Sequence, residues 1–157
     1  TQAKTLFPYT TLFRSENDGY LARALIPEGV TYLQDSGVTI EKINFWGSPW
    51  QPRFYDWAFN LDRGAEIAEQ WALIPEDTDV LITHGPPYGI LDCLPDGERV
   101  GCQDLLARIK QVRPRLSVFG HIHSSYGMVK EDETIFVNAA TCDEEYLQTN
   151  PPIVVDL

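Results

Sequence analysis

Apolar residues recur along the chain at two different spacings, which predict helices in some segments and strands in others. Helical spacing over residues 61–74 and 102–112, each followed closely by a proline, predicts two amphipathic helices. A shorter helical candidate lies at residues 20–26 and ends at Pro27. Short apolar runs predict strands at residues 30–33, 38–46, 79–83, 116–119, 126–130, 134–137 and 153–155.

The order of these elements predicts an α/β fold. Strand, helix, strand, helix, strand and a final meander favour a sheet with mixed pairing. Residues 47–56 and 85–101 lack periodicity and predict loops. Binding sites in α/β sheets gather just past the carboxyl ends of parallel strands. The residues that follow strands 79–83 and 116–119 are therefore the first candidates for chemistry.

All three histidines of the chain follow those two strands. His84 lies in T-H-G-P-P, whereas His121 and His123 lie in G-H-I-H. Neutral imidazole is a common metal ligand, and two or more are needed to hold a divalent ion. A lone histidine is usually an ordinary hydrogen-bonded residue, but that interpretation does not explain three of three at strand ends. We predict that their ring nitrogens lie within about 3–7 Å of one another or of shared metals.

The charge of the chain limits which molecules it can bind, and its cysteine content indicates the cellular compartment. The chain has 12 Lys and Arg against 23 Asp and Glu, a net charge of −11, which opposes binding to the phosphate backbone of nucleic acids. No run of 18 apolar residues predicts a membrane span. Cys93, Cys102 and Cys142 are odd in number and unrelated in spacing, so we expect reduced thiols in a cytoplasmic protein.

The first fifteen residues differ in composition from the rest of the chain. Residues 5–15 read T-L-F-P-Y-T-T-L-F-R-S, without an acidic side chain or a clear period. They resemble a translated sequencing adapter, and the alternative is an ordinary N-terminal strand and turn. We expect residues 1–15 to be non-native and residues 16–157 to form the domain.

Several motifs together resemble the calcineurin-like metallophosphoesterases. The histidine motifs at 83–87 and 120–123 are similar to the last two motifs of that family. Residues 46–60, W-G-S-P-W-Q-P-R-F-Y-D-W-A-F-N, are similar to the branch of metallophosphoesterase-domain proteins found in brain and in bacteria. The resemblance covers residues 20–157 and implies the C-terminal half of an α/β/β/α sandwich with mixed sheets, so residues 16–157 are interpreted as a partial domain.

The resemblance implies hydrolysis of phosphoesters, such as the phosphodiesters of cyclic nucleotides, by two divalent ions (Mn²⁺, Fe²⁺ or Zn²⁺). It implies that His84 and His121 ligate the second metal and His123 the first, and that a metal-bridging hydroxide attacks phosphorus in line. The partner it implies is a small phosphoester or nucleotide, with the oligomeric state left open. The alternative is a non-catalytic module that binds nucleotides or proteins and has kept the fold.

The chain departs from the family pattern in the motifs that come first. It contains no D-x-H, no G-D-x-x-D and no G-N-H. Asn17-Asp18 resembles part of the last motif, but Gly19 stands where a histidine is needed. The bridging Asp and most ligands of the first metal are therefore missing from this chain. We expect it to be inactive alone, and its three imidazoles to suit Zn²⁺ better than Mn²⁺ or Fe²⁺.

The remaining candidates each have two interpretations. An aromatic cluster beside Arg53 either stacks a nucleobase, with Arg53 near a phosphate, or packs on the core; its members are Trp46, Trp50, Phe54, Tyr55 and Trp57. Asn138 either orients a ligand or makes a turn hydrogen bond. The candidate substrate-binding residues are Trp50, Arg53 and Asn138. The acidic residues of loop 85–101, which line a cleft or are solvated, are Asp92, Asp96 and Glu98. Cys142 has no histidine in sequence that would make it a nucleophile.

Overall fold

The chain folds around a six-stranded mixed sheet, and the computed structural model describes residues 26–157. The strands are β1 (Ser36–Ile40), β2 (Ile43–Ser48), β3 (Gln51–Pro52), β4 (Asn60–Leu61), β5 (Val80–Thr83), β6 (Leu116–Phe119), β7 (Gly127–Glu131) and β8 (Thr134–Asn138). The helices are α1 (Ala65–Trp71), α2 (Gln103–Val112) and the 3₁₀ turn His123–Ser125. The strand order in the main sheet is β1-β2-β5-β6-β8-β7, and β3 pairs with β4 separately.

Parallel pairing at the centre of the sheet sets the position of the strand ends. Strands β2, β5, β6 and β8 run parallel to one another. Strands β1 and β7 pair antiparallel at the two edges. The carboxyl ends of the four central strands therefore lie side by side at the same end of the strands. This mixed sheet with its two helices confirms the predicted α/β class.

The sheet buries side chains on both of its faces because the strands alternate. One face packs under α1 and α2, and its core includes Trp71, Leu81, Leu105, Phe119 and Phe136. The other face carries Val80, Leu116 and Val137, against which Ile153 and Val155 of the C-terminal segment pack. The central strands thus supply apolar residues to two separate clusters.

The two predicted helices are present, with shorter bounds. Helix α1 begins only at Ala65 because Leu61 belongs to β4 and Gly64, with φ of 90°, is the N-cap. Helix α2 begins after Cys102, whose sulfur accepts the Leu105 N–H at 3.4 Å. It ends at Val112, and the left-handed backbone of the C-cap residue Arg113 stops the helix before Pro114.

Three strand predictions are wrong. The segment 38–46 is a hairpin of β1 and β2, because Glu41 and Lys42 both take positive φ and make a two-residue turn. Residues 30–33 form no strand beyond a single bridge residue at Thr31, and Leu33 packs closely on Gly47, where an added Cβ would lie 2.4 Å from Leu33 Cβ. Residues 153–155 follow two prolines, which donate no N–H, and pack through side chains alone.

Loop predictions hold in part. Segment 47–56 contains the end of β2 and the short strand β3, which pairs with β4. Segment 85–101 has no strand of its own, only isolated bridges. The helix predicted at 20–26 and the non-native segment predicted at 1–15 fall outside the described residues, apart from Ile26. Within residues 26–157, no helix has the length and apolar character that a membrane crossing needs.

Candidate metal centre

The carboxyl ends of β5 and β6 bring two histidines into contact, as predicted from the two motifs. His84 follows β5, and the backbone N–H of Gly120, just after β6, donates to the His84 carbonyl at 3.0 Å. The Nε2 atom of His84 lies 3.1 Å from Nδ1 of His121, although 37 positions separate the two residues. Their ring centroids are 4.7 Å apart. We call His84 and His121 the histidine pair.

A strained turn aims the His121 ring at His84. His121 has a φ of 69°, in the left-handed region that only a few per cent of residues other than Gly adopt, with Asn, Asp and His the most frequent among them. The Ile122 N–H donates to the Gly120 carbonyl at 2.8 Å, which closes a three-residue γ-turn around His121. Such strain costs about 1–3 kcal/mol and persists where the surrounding structure imposes it, often at functional sites.

The separation within the histidine pair fits two ligands of one divalent ion. Metal–nitrogen bonds of about 2.0–2.1 Å at angles between octahedral and tetrahedral place two ligand nitrogens about 2.9–3.4 Å apart. The observed 3.1 Å lies inside that interval. Without a metal, one ring donates an N–H to the other; a bound ion would take the lone pairs of both nitrogens.

Burial keeps the histidine pair in the neutral form that ligates metals. Desolvation by burial and, to a lesser extent, the nearby His121 together lower the pKa of His84 from 6.5 to about 3. The pKa of His121 is also lowered, by burial first and then by His123. Both imidazoles are therefore neutral at pH 7.

The low pKa of His84 predicts how the stability of the metal-free chain changes with pH. In the unfolded chain this residue takes up a proton below about pH 6.5, whereas the folded chain resists it down to about pH 3. The free energy of unfolding should therefore fall as the pH is lowered through that window. We expect His84→Gln to make the fall shallower by about 1.4 kcal/mol per pH unit. Urea unfolding at a series of pH values, with chelator present, measures this, and equal slopes would contradict it.

His123 is held in a tautomer that suits metal binding. Its Nδ1 lies 2.7 Å from the Asp143 carbonyl oxygen, which only accepts, so Nδ1 carries the proton and Nε2 keeps its lone pair. Metal-ligating histidines commonly donate their other N–H to a backbone carbonyl in this way. The Tyr146 ring packs edge-on against His123 at 5.3 Å. Neither the Asp143 carbonyl nor Tyr146 carried a signal in the sequence.

The described residues supply part of a metal centre. Within residues 26–157, no group of three or more His, Cys, Asp or Glu side chains is arranged to hold a metal ion. The histidine pair fits two positions of one ion, and His123 presents a lone pair from a separate 3₁₀ turn. The assignment of all three as metal ligands stays a prediction.

Asn138 holds the turn between the two histidines of G-H-I-H. Its side chain is fully buried at the end of β8. The amide Nδ2 donates to the Ile122 carbonyl at 2.8 Å and to the Leu91 carbonyl at 3.2 Å, and Oδ1 accepts the Ala140 N–H at 3.1 Å. The polar atoms of Asn138 therefore hold the backbone segments beside the histidines. Direct contact of Asn138 with a substrate stays a prediction.

Removing that amide should destabilise the chain. Asn138→Ala leaves the buried Ile122 carbonyl and the half-buried Leu91 carbonyl without this donor, which should lower the free energy of unfolding by about 2–4 kcal/mol. Asn44→Ala is the control, because its amide makes solvent-exposed hydrogen bonds, with an expected loss below about 1 kcal/mol. Urea denaturation measures the free energy of unfolding of both variants. Equal losses would show that Asn138 stabilises the chain no more than the exposed Asn44 does.

Two other predicted substrate residues are engaged elsewhere. The Trp50 indole N–H donates to Asp35 at 2.7 Å, and its ring packs edge-on against Phe59 at 5.5 Å. Arg53 donates through Nε to Asp62 at 2.7 Å, and this hydrogen bond and charge raise the pKa of the guanidinium. Their roles in substrate binding stay predictions, and Trp46 packs against the helix-covered core.

Phe54 contacts the histidine pair through His121. Its ring meets the His121 ring edge-on at 5.1 Å and an angle of 87°. Phe54, Tyr55 and Trp57 are all exposed, unlike Phe59, which is buried. The sequence shows these aromatic residues in one segment. It does not show which of them are buried, because buried and exposed residues follow no regular spacing in this loop.

The remaining candidates have partners of their own in the described part of the chain. Asp92 is completely buried and accepts from Arg99 and from the N–H groups of Gly89 and Gly101, so it organises loop 85–101. Asp96 and Glu98 are exposed. Cys142 is half-buried, with Thr141 at 3.9 Å from its sulfur.

Comparison with known proteins gives close relatives for most of the chain. No family model matches it. The chain is 49% identical over 153 residues to the human Metallophosphoesterase domain-containing protein 1 and equally to its mouse counterpart, covering 96% of this chain and 46% of each relative. It is 40% identical over 144 residues to a UPF0046 protein of Caenorhabditis elegans, covering 91% of this chain and 36% of that protein.

The chain spans less than half the length of these relatives. A solved crystal structure superposes with a TM-score of 0.61 at 18% identity, covering 87% of this chain and 56% of that one, which shows a shared fold. Three observations point to the same group of proteins. They are the sequence identity, the α/β sheet and the two histidine motifs at the ends of its strands. Over nearly its whole length, the chain is similar to part of the metallophosphoesterase-domain proteins.

Proposed function

We propose that this protein, at the length of its relatives, is a metal-dependent phosphoesterase in which His84 and His121 hold one divalent ion. The observation that carries the proposal is the 3.1 Å separation of His84 Nε2 and His121 Nδ1 at the ends of adjacent parallel strands. The human and mouse relatives are named for a metallophosphoesterase domain, which supports a hydrolase of phosphoric esters.

The residues of this chain would bind the ions and leave room for an anionic substrate. Two divalent ions, when bound, polarise a phosphoryl oxygen and lower the pKa of bound water. His84 and His121 are neutral, so each can give a lone pair to a metal ion and neither carries a positive charge that would repel it. His123 presents Nε2 because Asp143 holds its other nitrogen. Asn138 keeps the γ-turn in place through the Ile122 carbonyl.

We further propose a binuclear centre acting on phosphodiesters such as cyclic nucleotides. A small nucleotide fits the exposed aromatic rings that begin at Phe54, beside His121. The net charge of −11 disfavours long nucleic acids. The free thiols of Cys93, Cys102 and Cys142 support a cytoplasmic location. The 157-residue chain, which lacks the carboxylate motifs, is inactive alone in this proposal.

A second candidate is a non-catalytic module that binds nucleotides or proteins. It is favoured by the incomplete ligand set among residues 26–157. Metal content separates the two candidates. A chain extended to the length of its relatives should retain two divalent ions after purification if it is a phosphoesterase. We expect His121→Ala and His123→Ala to lose different single ions, whereas an extended chain that retains none would favour the binding module.

A further inference from the structure

We propose that Asp143 is a positioning residue for His123. The Asp143 carboxylate folds the turn of residues 143–147, and this turn fixes the backbone carbonyl that holds the proton on His123 Nδ1. Nε2 of His123 is thereby kept unprotonated and free to bind a ligand. That this ligand is a metal ion rests on the proposed function, whereas the fixed tautomer of His123 does not.

The side chain of Asp143 makes the hydrogen bonds that close the turn. Its Oδ1 accepts the backbone N–H groups of Glu145 and Leu147, each at 3.0 Å. The Asp143 N–H donates to the Leu147 carbonyl at 2.9 Å. Asp and Asn side chains commonly bond the backbone a few residues further on and so favour turns. One carboxylate therefore joins the two ends of this turn.

The same turn fixes the direction of the Asp143 carbonyl. This oxygen accepts the Tyr146 N–H at 3.1 Å and lies 2.7 Å from His123 Nδ1. A carbonyl oxygen has two lone pairs, and these two contacts use both. Because the Tyr146 N–H belongs to the turn, a change that opens the turn also moves the oxygen to which His123 donates.

Tyr146 has a backbone conformation that needs a closed turn. Its φ is 61°, in the left-handed region that residues other than Gly seldom adopt. Its side chain is 70% exposed, although the ring packs edge-on against His123 at 5.3 Å. Burial of so exposed a side chain contributes little, so we attribute the conformation to the hydrogen bonds that Asp143 makes.

The backbone of His123 has separate supports, so the turn acts mainly on the ring. The hydroxyl groups of Ser124 and Ser125 donate to the Cys93 carbonyl at 2.9 and 2.8 Å. The Cys93 N–H donates to Ser125 Oγ at 2.9 Å. Loss of the Asp143 carboxylate should therefore release the proton position on the His123 ring while the backbone stays in place.

NMR of the metal-free 157-residue chain tests the tautomer directly. Long-range ¹H–¹⁵N correlation spectra at about pH 8, where an ordinary imidazole is neutral, distinguish a protonated ring nitrogen from an unprotonated one. We expect His123 of the parent chain to carry its proton on Nδ1. Asp143→Ala should spread the proton over both ring nitrogens, because the carbonyl no longer selects one of them. Asp143→Asn keeps Oδ1 and should retain the parent spectrum.

Matched variants separate the turn from the charge and from the tyrosine ring. Asp96→Ala removes an exposed carboxylate whose Oδ1 accepts the Glu98 N–H at 3.0 Å, a similar turn in another loop, and should leave His123 unchanged. Tyr146→Gly and Tyr146→Val both remove the ring. Gly takes positive φ without strain, whereas a β-branched residue does not, so only the Val variant should disturb the tautomer.

The metal-binding half is measured on a chain extended to the length of its relatives. Asp143→Ala should weaken binding of the ion that His123→Ala loses by about 10–100-fold, the usual effect of removing a group that supports a ligand. It should leave the ion that His121→Ala loses. Asp143→Asn should bind both ions like the parent.

Each result has one meaning for the role of Asp143. A parent chain with the His123 proton on Nε2, or a folded Asp143→Ala variant that keeps it on Nδ1, would overturn the proposal. If Asp143→Ala does not fold, the Tyr146 variants decide, and equal spectra for Gly and Val would overturn it. If the tautomer depends on Asp143 but the extended chain retains no ion, the positioning role stands and the proposed function is wrong.

Discussion

A chain extended to the length of its relatives should hydrolyse phosphodiesters, whereas the 157-residue chain should give no measurable turnover. The short chain has no D-x-H, G-D-x-x-D or G-N-H motif and so lacks a carboxylate to bridge two ions. In-line attack at the proposed binuclear centre uses two ions held about 4 Å apart, and the absence of a general acid alone costs about 10²–10⁴ in rate. We expect the combined difference to exceed about 10⁴-fold.

The assay compares the two chains with Mn²⁺ on a chromogenic phosphodiester. His121→Ala in the extended chain should reduce turnover to the level of the short chain, because it removes one of the two nitrogens that face each other across 3.1 Å. Leu73→Ala changes an exposed apolar residue outside the centre and is the control. Robust turnover by the short chain that His84→Ala abolishes would show that residues 1–157 build a complete site.

The second large effect is on metal affinity. His84→Ala or His121→Ala should weaken Zn²⁺ binding by the 157-residue chain by about 100-fold or more, since even residues that support ligands contribute about 10–100-fold. The physical reason is that each substitution leaves one imidazole where the pair presents two. Phe54→Leu removes the ring against His121 without removing a ligand and should change the affinity less than about threefold.

Competition with a chromogenic chelator measures these affinities, and thermal unfolding with and without Zn²⁺ gives an independent reading. A ligand that binds only the folded chain raises its stability according to concentration and dissociation constant. The parent chain should therefore gain stability with Zn²⁺, and the alanine variants should gain little. An equal gain in all of them would mean that Zn²⁺ binds elsewhere.

The position of the histidine pair followed from simple patterns. Apolar runs at 79–83 and 116–119 predicted buried strands, and parallel pairing of β5 with β6 brought the residues after them together. The tight turn at Glu41 and Lys42 was not predictable, because neither residue is the Asn or Gly that usually adopts positive φ. The turn splits what periodicity presents as one strand.

Side-chain partners beyond the strand ends were less predictable. Composition alone made Trp50 and Arg53 the candidates for substrate, but Asp35 and Asp62 bind them through contacts that no spacing rule fixes. Phe54 contacts His121 from a loop in which the Phe54 N–H donates to Asn60, a contact between side chain and backbone that no spacing rule predicts. His123 is oriented by the backbone carbonyl of Asp143. Because every residue has a backbone carbonyl, the sequence could not indicate which one would bind His123.

The most direct measurement of the central claim is the position of a metal in crystals of the 157-residue chain grown with Zn²⁺, by anomalous diffraction at the zinc edge. We expect a peak about 2.1 Å from both His84 Nε2 and His121 Nδ1, with the histidine pair little changed from its present separation. A peak only at the acidic surface of Asp143, Glu144 and Glu145, with none between His84 and His121, would contradict it.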